Sequence, residues 1–136
     1  MSRPALRAAA LAAATSLSLL LLVACGGGSK PAYCEKQGEL EDAVTQVEGL
    51  GRTEPGAFLG AVREVEAKTV AVAPAIREEF PTEVGKVERS VRAVVATAKE
   101  AAAEPSVATG AKLVRRTDIL RGDLAGLETV VHEGCD

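Results

Sequence analysis

One histidine, three cysteines and nineteen carboxylates are the side chains of this 136-residue chain that can do acid–base, nucleophilic or metal chemistry. Their spacing argues against a catalytic centre. His132 stands alone near the C-terminus, and Met1 is the only methionine. Helical haem and di-metal sites need several His or Met ligands, or Glu-x-x-His pairs on facing helices, and no such set can be drawn. A serine nucleophile would have to recruit the same terminal histidine, and no Gly-x-Ser-x-Gly elbow occurs. Gly26-Gly27-Gly28-Ser29-Lys30 has the composition of a phosphate loop, but it lacks the Gly-x4-Gly-Lys-Ser/Thr spacing and no strand precedes it. Glu39, Glu41, Asp42, Glu78, Glu79 and Glu83 fall between apolar positions, as on a solvated helix face. The chain therefore reads as a non-enzyme with no metal and no cofactor. His132 reads as an exposed cation that favours the C-terminal end of a helix dipole.

Cys25 remains, and its surroundings carry the strongest signal in the sequence. Arg3 and Arg7 are the only charged residues ahead of it, and Ala8 to Val23 is apolar except for Thr15, Ser16 and Ser18. A charged start, an apolar run and a small-residue end make the layout of a secretory signal peptide over residues 1–24. An uncleaved anchor would call for roughly 20 apolar residues, slightly more than this run supplies. The ending Leu22-Val23-Ala24-Cys25 resembles the lipobox of bacterial prolipoproteins. By that resemblance Leu22, Val23 and Ala24 precede the cleaved bond. The Cys25 sulfur then carries a diacylglyceryl group, with acyl chains of the palmitate kind, at the new N-terminus. An ordinary secretory cleavage needs no cysteine there. The resemblance places the mature chain at the cell membrane, lipid-anchored and facing the extracytoplasmic side.

Removing residues 1–24 leaves 112, enough for one domain with one core. It also takes Lys+Arg from 16 to 14 against 19 acidic residues, a net charge of −5. An acidic chain is a poor match for nucleic acid. It offers no overall pull toward anionic headgroups either, so membrane attachment should rest on the lipid. Tyr33, Phe58 and Phe80 are the only aromatics, so the core must be built from Val, Leu, Ile and Ala. Asparagine is absent, which excludes Asn-linked glycosylation. With Cys25 acylated, Cys34 and Cys135 are left as an even pair in a non-reducing compartment, read as a disulfide over the alternative of two free thiols.

These residues are positioned by helices. Residues 25–32 form a flexible tether, and helical periodicity begins at Tyr33 and continues through Leu40, Val44 and Val47. Gly49 and Gly51 should break that helix, with Thr53 capping the next one. The second helix is expected over Pro55 to Val72, on a stripe of Phe58, Val62, Val65, Thr69 and Val72, with Pro74 as a tight junction. The third carries Ile76, Phe80, Val84, Val87, Val91, Val94, Ala98 and Ala101 in phase. It is expected to run through Pro81 with a kink, the alternative being a separate short helix at 75–80. Glu104-Pro105-Ser106 makes the last turn. The final helix carries Leu113, Thr117, Leu120, Leu124, Leu127 and Val131, ends near His132 and is terminated by Gly134.

The expected fold is all-α: an up-down-up-down four-helix bundle over residues 33–136, with the third helix kinked near Pro81. Short connections make successive helices antiparallel. Four helices then bring Cys34 and Cys135 to one end, within the ~4.4–6.8 Å that a disulfide requires between Cα atoms. Glu64–Lys68 and Glu88–Arg92 are spaced as i,i+4 pairs. Arg115, Arg116 and Arg121, with Lys86, Arg89 and Arg92, form either a basic strip or a set balanced by neighbouring acids. The helical pattern, Ala73-Pro74-Ala75-Ile76 and the paired cysteines resemble small helical lipoproteins of unknown function from high-GC Gram-positive bacteria, a family that implies no catalytic residues.

The expected role is a non-enzymatic interaction module held to the membrane by its N-terminal lipid, with an envelope protein as partner. The alternative is a carrier of a small apolar ligand or lipid between the helices. The tether spans only roughly 15 Å. Both bundle termini should therefore sit by the bilayer with Pro74 facing it, and the turns near Gly51 and Pro105, the places to seek a partner, should point away.

Overall fold

The computed structural model describes residues 29–136; the leader with Leu22, Val23 and Ala24, and the first half of the tether with Cys25, lie outside them. The described residues form an all-α bundle of four helices with no strand: α1 (Gln37–Gly49), α2 (Pro55–Arg77), α3 (Pro81–Ala103) and α4 (Val107–Cys135). Short 3-10 turns, Ala32–Lys36 and Leu50–Arg52, lead into and out of α1. Each of α1 and α3 packs against both α2 and α4, which lie between them.

The core follows the apolar spacing. Leu40 and Val47 of α1, Val62, Val65, Thr69 and Val72 of α2, Val84, Val87, Val91, Val94 and Ala98 of α3, and Thr117, Leu120, Leu124, Leu127 and Val131 of α4 are all buried. Ala43 and Leu50 are buried too, although the sequence stripe omitted them. Two of the buried threonines satisfy their hydroxyls locally, Thr69 on the Val65 carbonyl and Thr117 on the Leu113 carbonyl. They therefore cost the apolar core no unpaired donor.

The prolines exchange the roles expected of them. α2 does not stop before Pro74 but continues to Arg77, and Pro81 is the first residue of α3 instead of a kink within it. Pro74 is tolerated because it and Val70, whose carbonyl loses its helical partner, both lie on the exposed side, where water can take that carbonyl. Ile76 closes the α2 stripe at 0 % exposure, Phe80 becomes the residue preceding α3, and Pro81 suits a first helical position. The in-phase run from Ile76 to Val84 belongs to two helices feeding one core.

Other boundaries shift for similar reasons. α1 continues through Gly49 into the 3-10 turn because Leu50 is buried. Thr53 does not cap α2, whose N-cap is Glu54; its hydroxyl reaches back to the Gly49 carbonyl at 3.2 Å. α4 passes through Gly134 to Cys135, so that glycine terminates nothing. Its role is spatial. A Cβ there would lie 2.3 Å from the Tyr33 hydroxyl, which donates to the Gly134 carbonyl at 3.3 Å.

The turn at residues 104–106 falls where the sequence puts it. Ser106 and Thr109 form a reciprocal capping box that opens α4, with the Thr109 amide donating to Ser106 Oγ at 3.1 Å and the Ser106 amide to Thr109 Oγ1 at 3.0 Å. Ser106→Ala should lower the unfolding free energy by about 1 kcal/mol, read as a shifted urea midpoint at unchanged slope.

Candidate functional site

Cys34, just before α1, and Cys135, the last residue of α4, are disulfide-bonded with Cα atoms 5.7 Å apart. Around the bridge, the Tyr33 and Phe80 rings meet edge to face at 5.2 Å. Gln37 Nε2 lies 2.7 Å from His132 Nδ1, and His132 Nε2 lies 3.4 Å from Asp136. His132 is exposed and engaged with these two side chains. The turn at 78–80 shares this end of the molecule with the termini, where the sequence reading had put Pro74.

At the other ends of α1 and α4, the two remaining connections come together around a groove of about 390 Å³. Leu50, Gly51 and Thr53 line it from the α1–α2 connection, and half-buried Phe58 and Leu59 from the first turns of α2. Ala98, Ala101 and Ala102 form the α3 wall, and Pro105, Ser106, Thr109, Gly110, Leu113 and Val114 the α4 wall. The small side chains on both walls are why a groove exists there at all. A smaller depression of about 100 Å³ shares Gly51, Phe58, Leu113 and Val114 with it and extends to Thr117, Asp118 and Arg121. Val107 at 92 % and Val114 at 63 % exposure leave apolar surface at the start of α4.

The lining of this groove is mainly apolar. Its hydroxyls are committed: Thr53 to Gly49, and Ser106 and Thr109 to each other and to the cap backbone. Asp118 and Arg121, in the adjoining depression, form an ion pair at 2.7 Å. Such a lining suits an apolar surface or side chain that leaves no polar group to be satisfied. Among the described residues, no group of three or more His, Cys, Asp or Glu could hold a metal ion, and no helix is long and apolar enough to cross a membrane.

The chain matches no family model, no curated protein and no solved structure. The sequence located the two turns that frame the groove, Gly51 and Pro105, but not the groove itself. Apolar spacing puts Phe58 in the core stripe, whereas it is half-buried and lines the groove; Val107 and Val114 carry no sequence signal. The available clue is the small-residue set Ala98, Ala101 and Ala102, which lines the groove together with Gly110. The charge pairs were misassigned: Lys68 meets Asp42 of α1 at 3.7 Å, and Glu88 meets Arg77 of α2. Glu64 and Arg92 are not the partners.

Proposed function

We propose that the protein is a lipid-anchored, extracytoplasmic helical bundle, attached through a diacylglyceryl group on Cys25 after removal of residues 1–24. In this reading it is a non-enzymatic module that presents its groove to another protein of the cell envelope. Residues 25–32 serve as the leash and residues 33–136 as the domain. The carrying observation is the apolar groove at the ends of α1 and α4 opposite the Cys34–Cys135 bridge. A short leash attached beside Cys34 keeps the bridged end near the lipid and leaves the groove, at the opposite end, clear of it.

The up-down-up-down order this needs is supported by the side-chain pairs. Glu100 meets Lys112 at 2.6 Å, while Ser90, ten residues earlier, bonds Asp123, eleven residues later. One number falls as the other rises, the relation of antiparallel neighbours. Gln37 with His132 and Cys34 with Cys135 repeat it between α1 and α4.

Intact mass of the membrane-fraction protein tests the anchor. The expected species lacks the leader, carries the lipid and is two hydrogens lighter for the disulfide; an unacylated mass would sink the anchor. A photo-crosslinking residue at Val114 tests the groove in the same cells. It should capture a protein that the same probe at Val70, exposed on α2 outside the groove, does not; equal or absent capture at both positions would rule the groove out. Carriage of a small apolar ligand is the second reading, favoured by the same lining, and native mass spectrometry of the isolated protein should then show a bound lipid-sized adduct.

A further inference from the structure

The net charge of the chain conceals a separation of charge between two opposite sides of the bundle. The buried residues Val84, Val87, Val91, Val94 and Ala98 define the inner stripe of α3. At about 3.6 residues per turn, Arg89, Arg92, Ala96 and Lys99 lie along the opposite, outward ridge, and all four are exposed. The acids that α3 carries beside this ridge are drawn to its flanks, Glu88 to Arg77 of α2 and Glu100 to Lys112 of α4. Among the described residues, Arg89, Arg92 and Lys99 take part in no ion pair. α1 is the reverse: it carries four acidic residues and no basic one. Glu41 and Glu48 are exposed on it. Because α2 and α4 lie between α1 and α3, the basic ridge and the acidic helix occupy opposite sides.

We infer that the outward ridge of α3 docks on the anionic headgroups of the membrane in which the protein is anchored, laying the bundle on its α3 side. The inference rests on the Cys25 anchor proposed above. Charge complementarity selects the surface, since cations strung over about 15 Å of helix (ten residues) face it while the acidic helix is turned away. The tether supplies the rest. Each cation at an anionic surface shifts the equilibrium only about fivefold, but a leash of eight residues makes the encounter intramolecular, so a few such factors suffice. The groove, at the end of the bundle, stays open along the membrane plane in this posture.

The test uses the processed, acylated protein in vesicles rich in phosphatidylglycerol and in vesicles of phosphatidylcholine alone. With the disulfide closed and Cys25 acylated, Ala96→Cys or Thr45→Cys provides one thiol for a fluorophore, on the α3 ridge or the outer side of α1. On anionic vesicles, quenching of the Ala96 label by aqueous acrylamide should fall at least roughly threefold, with the Thr45 label unchanged. Quenching should return in about 1 M salt, where the screening length is about 3 Å. It should also return in the Arg89→Glu/Arg92→Glu/Lys99→Glu variant, whose changes are all at exposed positions. An acylated protein whose Ala96 label is equally quenched on both vesicles would overturn the docking and leave the anchor standing. A protein without the lipid mass would overturn both.

Discussion

Replacing Cys34 and Cys135 together by serine is expected to lower the unfolding free energy by about 4 kcal/mol. The bridge closes a loop across 101 positions, and chain-entropy arguments assign roughly 4.7 kcal/mol to a loop of about 100 residues, with measured effects often smaller. For a domain of this size, each kcal/mol moves the melting temperature by about 4–8 °C, so a fall of roughly 15–30 °C should be seen by calorimetry. The loss should appear mainly as a more open unfolded state, with the urea slope rising as the midpoint falls. In the folded state the severed ends keep the Tyr33–Gly134 hydrogen bond and the Gln37–His132 contact. Those exposed contacts are too weak to replace a covalent tie, so faster amide exchange is expected in the last turn of α4. A change below about 1 kcal/mol would show that the unfolded chain is already constrained some other way.

The second large effect is expected at Leu124→Ala, about 3 kcal/mol. Leu124 is 0 % exposed in the middle of α4 and belongs to the shared core. Truncation removes apolar contact and leaves a cavity that helices packed on several sides cannot fully close, a loss that runs at about 2–5 kcal/mol for buried leucines. Ile119→Ala, on the same helix but 45 % exposed, should change stability by no more than about 0.5 kcal/mol. Leu124 acts on the folded state and the disulfide chiefly on the unfolded one. The two lie eleven residues apart along α4, about 16 Å, so their effects should add within about 0.5 kcal/mol. Chemical denaturation of the single and combined variants checks both magnitude and additivity.

The two ends of the bundle differ in character. One end is closed by the disulfide, where the proposed leash would hold it, and the other opens into an apolar groove. Small residues do this work on both walls. Ala98, Ala101 and Ala102 on α3 and Gly110 on α4 keep the helices helical while giving up the side-chain volume that would fill the space between them. A bundle with leucine at those positions would close its far end as it closes its middle. Of the polar side chains there, Ser106 and Thr109 are engaged in starting α4, and Thr53 in bonding back to Gly49.

Much of this was legible in the residues alone. The helical class, the stripes and the turn at 104–106 follow from apolar spacing and local capping chemistry, which any reader of the chain can apply. The pairing of Cys34 with Cys135 follows from their number and from the parity of four helices. The misassigned features were those where two local signals compete. Pro74 and Pro81 both disfavour the helix before them, and spacing alone cannot say which one breaks it. The core decided. Ile76 had to be buried, α2 therefore ran on past Pro74, and the break moved to Pro81, where a proline costs no backbone hydrogen bond.

Charge shows the same division. The sequence specifies which helix carries acids and which cations, and it allows i,i+4 pairing within each. The tertiary structure decided that Glu88 and Lys68 reach across to neighbouring helices, because the longitudinal register of α1, α2 and α3 sets which side chains come within reach. The groove, too, belongs to that second level. Its lining comes from four separated stretches, each unremarkable by itself, and they meet only once the helices have packed and two turns lie side by side. Periodicity is a local property of the chain and determines what each helix buries; inter-helix register and the volume left at the ends are collective, and only packing settles them.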